Sequence, residues 1–346
     1  MKFRYLGKSG LLVSELTLGT MTFGALGWGC DAKEAHAIIA AYLEAGGNMI
    51  DTADVYAKGQ TESIIGAYMP SMKRDEIILA SKCNFPLGVA PNGVGSSRKH
   101  IVCSVEASLK RLRTDYLDIY YLHRPDPSVS AEEIMETLDI LVRQGKILYS
   151  ACSNLPAWRI MLDNAAAKSR GMSGFACGQY MYNLVDRNCE QEIIPAMVHQ
   201  GIGFLCWSPL AGGMLTGKYD VGTDVPKGSR FDFRKNLDIP RFWTEQGRRV
   251  AKGFAEVAKE AGVPPATLAI AWLLSKDYVS SVILGARTVR QISESLDASG
   301  FELAEDLRAK LDALSEPAKN YLWSFNEETN DQFRARGKLF PGAIIC

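Results

Sequence analysis

The sequence predicts an α/β fold of the closed (β/α)8 barrel type, on three observations. Eight short, apolar, β-rich runs recur along the 346 residues, most are followed by a stretch of helical periodicity, and no linker, low-complexity run or internal repeat divides the chain. An open doubly wound sheet is the other way to arrange the same alternation. The length suits one barrel with insertions, so residues 1–346 read as a single domain.

The chain opens with Phe3–Leu6 and Leu11–Val13, joined through Gly7-Lys8-Ser9-Gly10. Within residues 1–15 this reads as a hairpin able to plug one barrel end. The expected strands are Leu16–Gly19, Met49–Asp51, Ile77–Lys82, Leu117–His123, Leu148–Cys152, Phe175–Gln179, Gly203–Trp207 and Val282–Gly285. Several are nearly continuous apolar runs, as strands covered by helices on both faces should be. Among the helices, Ala32–Ala45 opens after Asp31, a good N-cap. Ser97–Arg113 and Ala131–Gln144 follow Ser-containing starts and repeat apolar residues at three- and four-residue spacing. Pro156–Lys168 begins with a proline in its first turn, where the missing N–H is harmless. Gln191–His199 is short and interrupted by Pro195, and Glu245–Glu260 is longer and amphipathic. The tail, 317–346, reads as irregular, and its Tyr321, Trp323, Phe325 and Phe333 argue that it packs on something.

Lys+Arg and Asp+Glu each total 39, so the chain has no global field with which to hold a nucleic-acid backbone or an anionic membrane surface. No stretch approaches the ~20 apolar residues that span a bilayer. Met1-Lys2-Phe3-Arg4-Tyr5 lacks the apolar core of a signal peptide, and a cytoplasmic protein is expected. The eight cysteines form no C-x-x-C pair and no histidine stands at metal-binding spacing, so reduced thiols and no metal are expected.

In a parallel barrel the reacting groups sit where strands end and βα loops begin. Asp51 ends the second expected strand and Tyr56 follows in its loop; Lys82 ends the third and His123 the fourth. Taken singly, each has an ordinary explanation: a buried ion pair, a rim histidine, a packed loop tyrosine. Together, at three neighbouring strand ends, they make a proton-transfer set. A free phenol, with a pKa of about 10, is a weak acid at neutral pH, and a neighbouring ammonium favours the phenolate. Asp51 would hold Lys82, and His123 would orient a carbonyl. No G-x-G-x-x-G opens a helix and no Walker-type loop is present. The residues themselves offer two weaker anion sites. One is the glycine-rich loop after Trp207, near Lys218; the other is Gly285-Ala286-Arg287-Thr288, which ends the last strand and opens a helix. Each is equally the form of an ordinary βα turn.

These motifs resemble the aldo-keto reductase family, a TIM-barrel family. The resemblance runs from Leu6-Gly7 to Leu296 and rests on Gly46-Gly47-Asn48-Met49-Ile50-Asp51-Thr52-Ala53, on Leu117-Asp118-Ile119-Tyr120-Tyr121-Leu122-His123-Arg124-Pro125-Asp126, and on the run from Ser208-Pro209-Leu210-Ala211-Gly212-Gly213 to Lys218-Tyr219. It implies that Asp51, Tyr56, Lys82 and His123 are the catalytic tetrad, with Tyr56 as general acid. It implies NADP(H) as cofactor, a carbonyl or alcohol substrate (aldehyde, ketone or sugar), and these binding positions. Gly19, Thr20 and Met21 would make the first-strand contact. Ser153, Asn154 and Gln179 would meet the carboxamide, and Trp207, Ser208, Pro209, Leu210 and Gly212 the nicotinamide and pyrophosphate. Lys218 and Arg230 match phosphate-side positions. Gly285, Arg287 and Gln291 match the region of the adenosine 2′-phosphate, and Glu294 and Ser295 lie near the adenine. Arg287 favours NADP over NAD. Two positions depart from the family pattern: Ser295 stands where an asparagine is usual, and Ala57-Lys58-Gly59 follows Tyr56 where a glycine often comes first.

Two other classes are compatible with a barrel of this kind. Some relatives resemble barrel subunits attached to potassium channels, which bind nucleotide and serve mainly as partners. A barrel hydrolase would need two carboxylates facing a cleft and would leave the tyrosine–lysine pair unexplained. Phe23, Trp28, Tyr56, Phe85, Arg124 and the tail aromatics are the expected walls of a substrate pocket. The substrate, the direction of reaction and the oligomeric state are left open by the residues.

Overall fold

A computed structural model describes residues 1–86, 88–222 and 224–325, and divides the chain into units Met1–Ser315 and Glu316–Cys346. The first unit begins with an antiparallel hairpin of β1 (Phe3–Tyr5) and β2 (Leu12–Ser14), in the register Arg4↔Val13. Eight parallel strands then close a barrel: β3 (Leu16–Gly19), β4 (Met49–Asp51), β5 (Ile78–Cys83), β6 (Leu117–Leu122), β7 (Ile147–Ser153), β8 (Cys177–Met181), β9 (Gly203–Trp207) and β10 (Val279–Gly285). Each pairs with its sequence neighbour, and β10 returns to β3. The closed barrel is therefore as expected from the alternation, and the open sheet is excluded.

Strand alternation divides the apolar residues into two cores. Met49, Ile78, Ala80, Ile119, Tyr121, Ala151, Cys177, Leu205 and Ile283 pack inside the barrel, and the hairpin side chains Leu6 and Val13 join them. The hairpin thus plugs the barrel. Gly7 makes this possible: its φ is +59°, and a Cβ there would lie 2.4 Å from the Gly203 backbone nitrogen. The larger core, with Leu79, Leu122, Tyr180 and Phe204, lies between the strands and the helices.

The helices are α1 (Ala32–Glu44), α2 (Gln60–Tyr68), α3 (Arg98–Leu112), α4 (Ala131–Arg143), α5 (Ala157–Ser169), α6 (Ile193–Gln200), α7 (Arg230–Phe233), α8 (Lys235–Phe242), α9 (Glu245–Ala261), α10 (Pro265–Leu274), α11 (Val289–Leu296) and α12 (Glu305–Leu314). Asp31, Ser97 and Ser130 cap α1, α3 and α4 by accepting from backbone N–H groups. Pro195 does not break α6, because it lies in the first turn, where a backbone N–H has no intrahelical acceptor. α10 has no expected counterpart, because 267–273 are buried all round and leave no polar face to give a period. Among the described residues no helix is long and apolar enough to cross a membrane.

In the second unit, residues 321–325 are helical rather than irregular. The Asn320 side chain accepts from the Trp323 N–H at 2.9 Å, and Tyr321 stacks on Phe325 at 5.8 Å. Phe333 and the rest of the tail lie outside the described residues.

Candidate active site

The inward alternation that buries Met49, Ala80, Tyr121 and Ala151 brings the next inward positions to the carboxyl ends of the strands. Those positions are Asp51, Lys82, His123 and Ser153, with Gln179 and Trp207 after Cys177 and Leu205. His123 stands one residue beyond β6, its N–H bonded to the Cys83 carbonyl at 2.9 Å.

Asp51 and Lys82 are buried and paired Oδ1 to Nζ. The ammonium also donates to the Thr52 carbonyl at 2.8 Å and reaches the Tyr56 Oη at 3.4 Å. The other Asp51 oxygen accepts from Gln179 Nε2 at 2.7 Å, so the carboxylate is held from two sides. The Tyr56 and His123 rings meet edge to face, 5.9 Å between centroids. Burial alone would depress the Lys82 ammonium, but Asp51 and Tyr56 outweigh it and hold it above the usual lysine value. Burial also drives His123 well below its ordinary value, and the Lys82 and Arg124 charges add to this, so the imidazole is neutral. Its Nδ1 is buried without a hydrogen-bond partner. For Tyr56, Lys82 acts in the expected direction. Burial is larger, however, and leaves the phenol above its ordinary value.

The loop carrying Tyr56 is fixed from behind. Glu62 on α2 accepts from Ser81 on β5 and Arg111 on α3, each at 2.6 Å. Ala57 and Lys58 adopt left-handed φ values of 45° and 56°, which a non-glycine residue takes only at a cost. The departure at Ala57 noted in the sequence therefore falls on a strained turn. Nearby, Asp54 is buried with both carboxylate oxygens unpartnered. Burial and Glu62 push it up to about 7, against Arg111. Nothing in the sequence marked Asp54, since its burial and the approach of Arg111 from α3 are set by the tertiary fold.

The carboxamide candidates form one network. Asn154 Nδ2 donates to the His123 carbonyl (3.1 Å) and to Ser153 Oγ (2.8 Å), and Ser153 Oγ donates to the Gln179 carbonyl at 2.8 Å. Thr20 Oγ1 donates to the Asp51 carbonyl at 2.9 Å, tying β3 to the same rim. Phe23 is a correction to the expected pocket wall: it is fully buried in the outer core.

The sequence profile of the Aldo/keto reductase family matches residues 15–316. This chain belongs to the aldo/keto reductase family. The chain is 40% identical over 304 residues to a probable voltage-gated potassium channel subunit beta of Arabidopsis thaliana, covering 86% of this chain and 91% of that protein. A protein of the same description from Oryza sativa subsp. japonica is equally similar, at 40% over 304 residues. An uncharacterized oxidoreductase, YrpG of Bacillus subtilis (strain 168), is 34% identical over 338 residues, covering 93% of this chain and all of that protein.

A nicotinamide cofactor goes with this family, and the groups around Lys218 fit an anionic one. Burial and repulsion from Arg287 and Arg230 lower the Lys218 ammonium. Lys218, Arg230 and Arg287 come from separate segments and are near enough for the two guanidinium charges to act on the ammonium, a repulsion that an anion would relieve. Gly212 and Gly213 have φ of 69° and 104°, and Ser208, at 57°, has its carbonyl held by Asn183 Nδ2 at 2.9 Å. Arg230 and Arg234 share the buried Asp238, at 2.7 and 3.0 Å, and Arg241 lies over the Trp207 ring at 5.7 Å. The Gln291 side chain accepts from the Arg287 N–H, fixing the turn before α11. The adenine-side candidates are engaged elsewhere: Glu294 pairs with Arg290 at 2.7 Å and Ser295 Oγ bonds the Gln291 carbonyl.

Proposed function

We propose that the protein is an NADP(H)-dependent reductase or dehydrogenase of carbonyl and alcohol substrates, working in the cytoplasm with Tyr56 as its general acid and base. The observation that carries this reading is the Lys82 ammonium, buried and shared between Asp51 and the Tyr56 hydroxyl. The cofactor, when bound, supplies or accepts the hydride. Tyr56 gives its proton to the substrate oxygen, and Lys82 stabilises the phenolate left behind. Burial alone makes that phenolate costly, so proton donation depends on the ammonium. Asp51, held by Gln179, keeps Lys82 charged and aimed. A neutral His123 can donate one hydrogen bond to the carbonyl oxygen and orient it. For the cofactor, the support is the cation cluster of Lys218, Arg230 and Arg287. Of these, Arg287 is the residue proposed to read a 2′-phosphate.

The test is consumption of NADPH, followed by its absorbance, with a simple aromatic aldehyde. Turnover supports the reading, and cofactor binding without turnover of any carbonyl overturns it. The latter result would favour a second reading, a nucleotide-binding barrel that acts through a protein partner. That reading is supported by the 40% identity to proteins described as probable potassium channel subunits.

A further inference from the structure

We infer that Arg124 binds a negatively charged substituent, a carboxylate above all, on the carbonyl substrate; this rests on the reductase reading above. Arg124 directly follows His123, and its Cζ lies 4.8 Å from the centre of the Phe85 ring. Phe85 in turn meets the His123 ring edge to face at 4.8 Å. The three groups form a wall running from the reacting mouth to the guanidinium. A substrate with an apolar body between its carbonyl and its anion would lie along that wall.

The guanidinium is held in a set posture. Arg124 Nε donates to Asn84 Oδ1 at 2.8 Å, and Asn84 Nδ2 donates to Ser96 Oγ at 2.9 Å. Asn84 is buried and has a φ of 131°, a conformation that costs an asparagine energy and persists only where its surroundings hold it. One edge of the fork is thereby anchored, and the remaining N–H groups keep the planar geometry that matches a carboxylate.

Among the described residues no carboxylate forms an ion pair with Arg124. The acid nearest in sequence, Asp126, is already occupied: it accepts from the Ser96 N–H at 2.7 Å and from the N–H and hydroxyl of Ser128 at 2.9 and 2.6 Å.

The experiment compares 4-formylbenzoate with its neutral methyl ester as substrates with NADPH; the ester is intrinsically the better hydride acceptor, so a preference for the acid has to come from its charge. A charge-assisted contact of this kind corresponds to about a ten- to hundredfold preference. The wild-type kcat/KM for the acid should exceed that for the ester by this factor, mainly through KM. In Arg124→Gln the ratio should collapse toward one, and Arg124→Lys should keep part of it. Equal kcat/KM for acid and ester in the wild type, or a ratio unchanged in Arg124→Gln, overturns the inference while leaving the reductase reading intact. Turnover of neither aldehyde removes both.

Discussion

Gln179 on β8 donates from Nε2 to Oδ2 of Asp51 on β4 at 2.7 Å, a bond that crosses the barrel interior. With Lys82 on the other oxygen, Asp51 has little freedom, and the ion pair depends on both charges being present. Replacing Lys82 by Met leaves a buried, half-satisfied carboxylate. We expect Lys82→Met to lose about 3–5 kcal/mol of stability in urea unfolding, and the double variant Asp51→Asn with Lys82→Met to recover most of it. A double variant no more stable than the single would show that burial of the charge is not the cause.

Tyr56→Phe removes the proton donor and keeps the ring against His123. Turnover with an aromatic aldehyde should fall about 10²–10⁴-fold. NADPH binding, read by protein fluorescence quenching, should persist. Retained turnover would remove Tyr56 from the mechanism.

His123 contributes a pH dependence whose sign follows from its depressed pKa. The unfolded chain takes up a proton near pH 6.5 and the folded imidazole, neutral because of burial, Lys82 and Arg124, does so only well below that. Its contribution to stability is therefore complete above about pH 6.5 and declines as the pH falls, by about 1.4 kcal/mol per unit. His123→Asn should show a smaller loss of Tm between pH 7.5 and 5.5 than the wild type. Equal losses would mean that the folded imidazole accepts the proton.

Asp54 behaves oppositely. Its folded carboxyl holds a proton up to about pH 7, whereas the unfolded one ionises near 3.9. Stability linked to it is greatest below about pH 4 and is lost as the pH rises through 7. Asp54→Asn should raise stability at pH 8 by about 2–4 kcal/mol and have no such benefit at pH 4. A destabilised variant at pH 8 would mean that the carboxylate has a partner in solution.

Arg287 tests the choice of cofactor. Arg287→Ala should weaken NADPH binding about ten- to hundredfold, with a much smaller effect on NADH. Equal weakening of both would place the guanidinium away from the 2′-phosphate.

Much of this was legible in one dimension. Runs such as Ile-Leu-Ala-Ser-Lys and Ile-Tyr-Tyr-Leu-His are apolar to their ends and then polar, so the chain itself marks Lys82 and His123 as leaving a buried strand at its carboxyl end. Asp31, Ser97 and Ser130 announce helix starts because capping is local. α10 left no such mark, since a helix buried on every side has no polar period, and the helical turn after Asn320 was too short to show one.

By itself, then, the sequence determined the alternation of strands and helices, and with it the order in which Asp51, Tyr56, Lys82 and His123 reach one barrel mouth. Only closure of the barrel decided what those groups meet. The bond of Gln179 to Asp51, the Ser81–Glu62–Arg111 clamp and the Asn84 hold on Arg124 join residues far apart in the chain. The balance of burial against charge at Tyr56 and Asp54 is likewise set by desolvation, which depends on what packs around a group in three dimensions and leaves no periodic trace along the chain.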